Sequence, residues 1–228
     1  DLPDIPTVNE NGSRYYLCED DKYPSVTTVT GWKKRQFFME WRKKNQKESR
    51  RVLNRGNLLH QLIEDYLNNK DINLLSTTRE VKTTNKKTAQ KYYKKIYNAP
   101  EGLSQEELDK IDNIQALEVP LWSSTLGLAG RVDCVAEYNG ELCIIDFKGS
   151  TRIKRQEDIE NYFTQATAYA IMWHERTGNP INKFNILMAT EESCTPQVFS
   201  GKPLDHVSNL YNAIKYYKKD SQNLVLNK

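Results

Sequence analysis

The Asn139-Gly140 pair, flanked by alternating apolar residues, constrains the fold more than any other feature of the chain. In the segment GRVDCVAEYNGELCIIDFKGS it marks a two-residue hairpin of type I′. Tyr138 then faces Glu141, Asp133 faces Asp146, and Arg131 faces Lys148. Side chains alternate along a strand, so Arg131, Asp133, Asp146 and Lys148 all project from one side. Directly opposed like charges, with Cβ atoms about 5 Å apart, destabilise a sheet unless something neutralises them, and a divalent cation would do so. A solvated hairpin face is the other reading. Against it stands the run Cys143, Ile144, Ile145, which suggests a strand buried on both faces, where an unpaired acid is costly.

At 228 residues the chain can bury a sizeable core, as one α/β domain or a domain with a helical appendage. No apolar stretch reaches membrane-spanning length, and no signal-peptide pattern opens the chain; a leader removed before Asp1 stays open. The net charge is only +3 although 28% of residues are charged, which points to local basic surfaces. Cys134 and Cys143 fall on the face opposite the carboxylates in diagonal register, roughly 7–8 Å apart and too far for a good disulfide. With Cys18 and Cys194 isolated, a reducing, intracellular setting is expected.

Along the chain, a polar arm with one strand at Ser13 to Cys18 precedes a helical region capped by Ser25 and interrupted at Gly31. From Trp32 to Leu53, Trp32, Phe37, Phe38 and Trp41 are interleaved with Lys and Arg. This fits an amphipathic helix with a solvated basic face, or a nucleic-acid surface. A helix over Asn54 to Asn68 would turn Leu59, Ile63 and Leu67 to a core and His60 with Glu64 outward. A second Lys/Tyr-rich helix is expected over Lys86 to Tyr97, and a capping box at Ser104 and Glu107. Then come a strand at Ala116 to Trp122, the hairpin, a helix over Gln156 to Arg176, strands at Lys183 to Thr190 and Gln197 to Ser200, and a closing helix over Leu204 to Lys219. This order predicts an α/β architecture, with an arm and helical part at 1–112 and a core of sheet and flanking helices at 113–228 in one compact unit.

Asp133 followed by Asp146-x-Lys148 on a buried strand resembles the PD-(D/E)xK nuclease superfamily. His60 in RGNLLHQLIEDYL resembles the metal-binding histidine of the RecB-type members, and Gln165-Ala166-Thr167-Ala168-Tyr169 matches their Q-x-x-x-Y pattern. Alone, His60 reads as a structural histidine, and Gln165 with Tyr169 as residues packed beside a sheet. Together with Pro24-Ser25-Val26-Thr27 and the string Asp133 to Tyr138, they resemble the mitochondrial genome maintenance exonucleases and their phage-encoded relatives. Gly149 departs from the pattern, where relatives often carry Thr.

The resemblance implies a restriction-endonuclease-like core, a mixed central sheet flanked by helices with an N-terminal helical part. It implies His60, Asp133, Asp146 and the Phe147 carbonyl as metal ligands, with Glu118 in a lesser role and Lys148, Gln165 and Tyr169 in catalysis. The expected activity is hydrolysis of DNA, as a single-strand exonuclease serving replication or repair. Mg²⁺ suits such an oxygen-rich site and Mn²⁺ should substitute. Ser25, Thr27, Lys33, Lys34, Arg55 and Arg131 are candidate DNA contacts, and a monomer is expected. An endonuclease, an inactive DNA-binding module and an iron–sulfur nuclease are alternatives; Cys194 alone does not supply the cluster that the last needs. The setting would be a bacterial host's cytoplasm for a phage protein, or the mitochondrial matrix.

Overall fold

A computed structural model describes residues 3–10, 12–69, 105–193 and 195–226. The helix expected over Lys86 to Tyr97, and Ser104 of the capping box, lie outside them. The chain opens with β1 (Thr7–Glu10), β2 (Ser13–Cys18) and β3 (Asp21–Pro24), which form a small antiparallel sheet in that order. Two of these strands correct the reading of a polar arm. They are four residues long, largely exposed and rich in Asn, Asp, Glu and Lys, so neither has an apolar alternation of its own. Tyr16 and Cys18 of β2 supply the buried contacts, with Ile5 and Ala129.

Next come α1 (Val26–Thr30), a 3₁₀ turn (Trp32–Lys34), α2 (Arg35–Lys44) and α3 (Gln46–Leu67). Ser25 caps α1 by accepting the Thr28 N–H at 3.1 Å. Asn45 separates α2 from α3 through a non-helical backbone (φ −125°, ψ 52°), and its side-chain amide bonds the Trp41 carbonyl at 2.9 Å. The helix expected from Asn54 therefore begins at Gln46. Its first turns carry no apolar period, and Arg51 ties them down through Glu48 and Glu191.

The central sheet follows a short α4 (Gln105–Leu108). Its strands are β4 (Ile111–Ser123), β5 (Leu128–Tyr138), β6 (Glu141–Ser150), β7 (Phe184–Thr190) and β8 (Gln197–Gly201), in that spatial order. Only β6 and β7 run parallel. The crossover between them is a 3₁₀ turn (Gln156–Ile159) and α5 (Glu160–Thr177), which ends on Gly178 at φ +76°. The closing helix α6 spans Pro203–Leu226.

Two hydrophobic layers sandwich this mixed sheet. On one face Leu59, Leu62 and Ile63 of α3 pack on Cys134, Ala136, Cys143, Ile145 and Phe147. On the other, α1, α5 and α6 pack on Val135, Ile144, Ile186 and Met188. Ile144 and Ile145 are both fully buried because a helix covers each face of β6. Among the described residues, no helix is long and apolar enough to cross a membrane.

Candidate active site

The hairpin forms as its turn requires, with Asn139 at φ +53° and Gly140 at φ +78°. Tyr138 pairs with Glu141, and the ladder continues to Cys134 opposite Ile145. There the backbone pairing ends. In place of a further ladder bond, the Asp133 carboxylate accepts the Phe147 N–H at 2.8 Å. The facing pairs Asp133–Asp146 and Arg131–Lys148 are therefore corrected: the β5–β6 register stops at Cys134 opposite Ile145 and includes neither.

Glu118 reaches the site from β4. The ladder slips between Asp112 and Ala116, and Glu118 adopts a left-handed backbone at φ +54° between two paired residues, Leu117 and Val119. A non-glycine side chain there is strained, and such strain collects at functional sites. Glu118 Oε1 lies 3.4 Å from His60 Nδ1, and Asp133 Oδ1 lies 3.7 Å from the same nitrogen. One ligand atom each from His60, Glu118 and Asp133 falls within 4.8 Å of the other two. Burial works against a charged His60, but the bond to Glu118 and the charge of Asp133 outweigh it and raise the imidazole above its ordinary value. Burial raises Asp133, opposed by Lys148 and His60.

Asp146 stands beside this trio, 1% exposed. Lys148 Nζ donates to its Oδ1 at 2.8 Å and lies 2.7 Å from Oδ2, so both carboxylate oxygens are held by the ammonium. Burial pushes the Asp146 carboxyl up to about 6, with Asp133 adding to the rise and Lys148 opposing it. The Phe147 side chain is buried on the α3 face. Lys148 also lies 5.1 Å from the centre of the Tyr162 ring. Tyr162 escaped the sequence reading, although it precedes Gln165 and Tyr169 by three and seven residues and so shares their helix face.

Gln165 Nε2 and Tyr169 Oη are 3.4 Å apart, both buried on α5. Gly130 of β5 makes room for Tyr169: a Cβ there would sit 2.8 Å from Tyr169 Oη and 2.9 Å from Cε1. Gly130→Ala should therefore cost about 1–3 kcal/mol of stability, the usual penalty of overpacking. Urea denaturation checks this, and an unchanged midpoint would mean that Tyr169 does not occupy this wall.

The candidate DNA contacts are scattered. Ser25 is buried in its capping role, with Thr27 Oγ1 at 3.1 Å, and Thr27 is exposed. Lys33 lies 5.4 Å from the Tyr216 ring centre, and Lys34 is exposed on the same turn. Arg55 is buried and engaged, bonding Thr151 Oγ1 at 3.0 Å, the Gly149 carbonyl at 3.3 Å and Glu191 at 2.5 Å. It thus joins α3 to the end of β6 beside Lys148. Gly149 faces α3, where an added Cβ would meet Leu59 at 3.4 Å without a clash. Arg131 is engaged as well, with the Glu118 carbonyl and with Asp4. On α2, Phe37, Phe38 and Met39 stand exposed among basic residues.

One imidazole and two clustered carboxylates make a donor set that fits a hard divalent cation, with Asp146 held beside them by Lys148. Comparison with known proteins points the same way. The PD-(D/E)XK nuclease superfamily is matched over residues 34–208. Mitochondrial genome maintenance exonuclease 1 of Mus musculus is 47% identical over 47 residues, 21% of this chain and 14% of that protein. Its Homo sapiens counterpart is 45% identical over 47 residues, with the same coverage. The matched segment is a small part of either relative's length.

Proposed function

Because the chain belongs to the PD-(D/E)XK nuclease superfamily, we propose that it is a metal-dependent deoxyribonuclease that degrades single-stranded DNA from a free end. The observation that carries this reading is the closing of His60, Glu118 and Asp133 to within 4.8 Å beside the Asp146–Lys148 pair. His60, Glu118 and Asp133 would hold Mg²⁺ or Mn²⁺, with Asp146 and the Phe147 carbonyl completing the set. Bound there, the ion would polarise the phosphate and lower the pKa of a coordinated water. Lys148 is kept in place by Asp146, where its ammonium can orient the attacking water and offset negative charge on the phosphate as it develops. Gln165 and Tyr169 form the wall beside Asp133 and restrict the approach of the strand. With His60 from the helical part at 1–112 and the acids from 113–228, the two parts work as a single nuclease unit, read as a monomer.

The preference for unpaired DNA is supported by the exposed Phe37 and Phe38 among the basic residues of α2, since aromatic side chains stack on free bases at about 1–3 kcal/mol each. The name of the two relatives, mitochondrial genome maintenance exonuclease 1, supports action at an end and a role in replication or repair. A degradation assay with Mg²⁺ tests both. Linear single strands should disappear while circular single strands of equal length survive, and binding should weaken with salt at a slope of about −0.7 per phosphate contact. Rapid nicking of the circle would replace this reading by an endonuclease.

A further inference from the structure

The geometry points to Arg131 as the positioning residue that aims Glu118 into the metal site. It does so from the side of the strand pair that faces the N-terminal sheet. Nη1 of Arg131 donates to the main-chain carbonyl of Glu118, and Nη2 donates to Asp4 Oδ1 at 2.7 Å. The carbonyl it grips belongs to the residue whose backbone is left-handed at φ +54°, between paired neighbours on either side. A strand residue in ordinary extended conformation alternates its side chain with its neighbours. If Glu118 relaxed to that conformation, its carboxylate would change direction and leave His60, now 3.4 Å away. The guanidinium fork holds the strained peptide in place, while Asp4 fixes the fork from the segment that leads into β1. Arg131 is thus occupied with the protein, and the phosphate contact expected of it is replaced by a role exerted through Glu118.

The inference rests on reading His60, Glu118 and Asp133 as a metal site, and its test separates the two. Mn²⁺ affinity is measured by calorimetry on the full chain without DNA. Arg131→Met should weaken Mn²⁺ about tenfold, in the range expected when a group supporting a metal ligand is removed. Arg131→Lys should recover part of the loss, because one ammonium can still reach the Glu118 carbonyl. In the Glu118→Gln background, Arg131→Met should add nothing, because the two substitutions act through one carboxylate. Single-strand DNA affinity in EDTA should stay at its native value. Unchanged Mn²⁺ affinity, multiplying losses in the double variant, or a loss confined to DNA affinity would each overturn the assignment. Should Arg131→Met fail to fold, Asp4→Asn removes only the outer anchor and should weaken Mn²⁺ about two- to threefold; no change there overturns it too. A native chain that binds no Mn²⁺ would remove the metal reading itself.

Discussion

Lys148→Ala is expected to lower cleavage by about 10³-fold while leaving single-strand affinity close to native, as a group acting on the developing charge should. Lys148 is the cation paired with Asp146 at 2.7 Å, and its place on β6 is set by pairing with Met188 of β7. Truncation removes the charge without disturbing α2 or the 3₁₀ turn, where the proposed stacking and basic residues lie. Lys148→Arg should not restore the rate, because the planar, weakly hydrated guanidinium does not imitate a compact ammonium. Single-turnover cleavage beside a filter-binding titration separates the effects. A variant that cuts at the native rate would strip Lys148 of its proposed role, and an equal fall in binding and rate would make it a substrate contact only.

Asp133→Asn should abolish cleavage and weaken Mn²⁺ more than about 100-fold, beyond the cost of losing a merely supporting group. Asparagine is the informative replacement because its oxygen can still accept the Phe147 N–H, which keeps β5 and β6 in position. Without metal the same change should stabilise the protein. Burial, with Asp133 contributing, raises Asp146 from 3.8 to about 6 in the folded state. The folded chain then binds more protons than the unfolded chain between those values, so metal-free stability falls as pH rises through that window and stays low above it. Neutralising Asp133 removes one cause of the rise, so the melting temperature in EDTA at pH 7 should increase by several degrees and its pH dependence should flatten. Native Mn²⁺ affinity would sink the site, and a lower melting temperature in EDTA would show that the Asp133 charge is needed to balance Lys148.

The hairpin was legible because Asn-Gly tolerates two positive φ values and because strand alternation then decides which side chains share a face. Hence Asp133 and Asp146 could be brought together on paper, and Cys134 and Cys143 sent to the other side. The departure after Cys134 was not legible: no residue type announces that a carboxylate will take the place of a ladder bond. Glu118 was placed on its strand, but no residue pattern announces its left-handed backbone between the paired residues Leu117 and Val119. Arg55 and Arg131 read as phosphate contacts because a cation near acids suggests a ligand. Their partners Glu191 and Asp4 are 136 and 127 residues away in sequence, so only the fold could pair them. Tyr162 needed nothing but helical spacing and was missed for want of a motif.

The parallel contact between β6 and β7 bears on how the molecule comes to be able to cut. Glu118 and Asp133 belong to successive antiparallel strands joined by a tight turn, an arrangement that can close locally and early. The surroundings of Asp146 and Lys148 cannot, because both pair with β7, which reaches β6 only after the whole α5 crossover has been laid down, and long-range parallel pairing is intrinsically slow. A chain emerging from the ribosome would thus bring Glu118 and Asp133 together well before Asp146 and Lys148 are seated against β7. Competence to break DNA arrives with the last strands, as a late event in the maturation of each molecule.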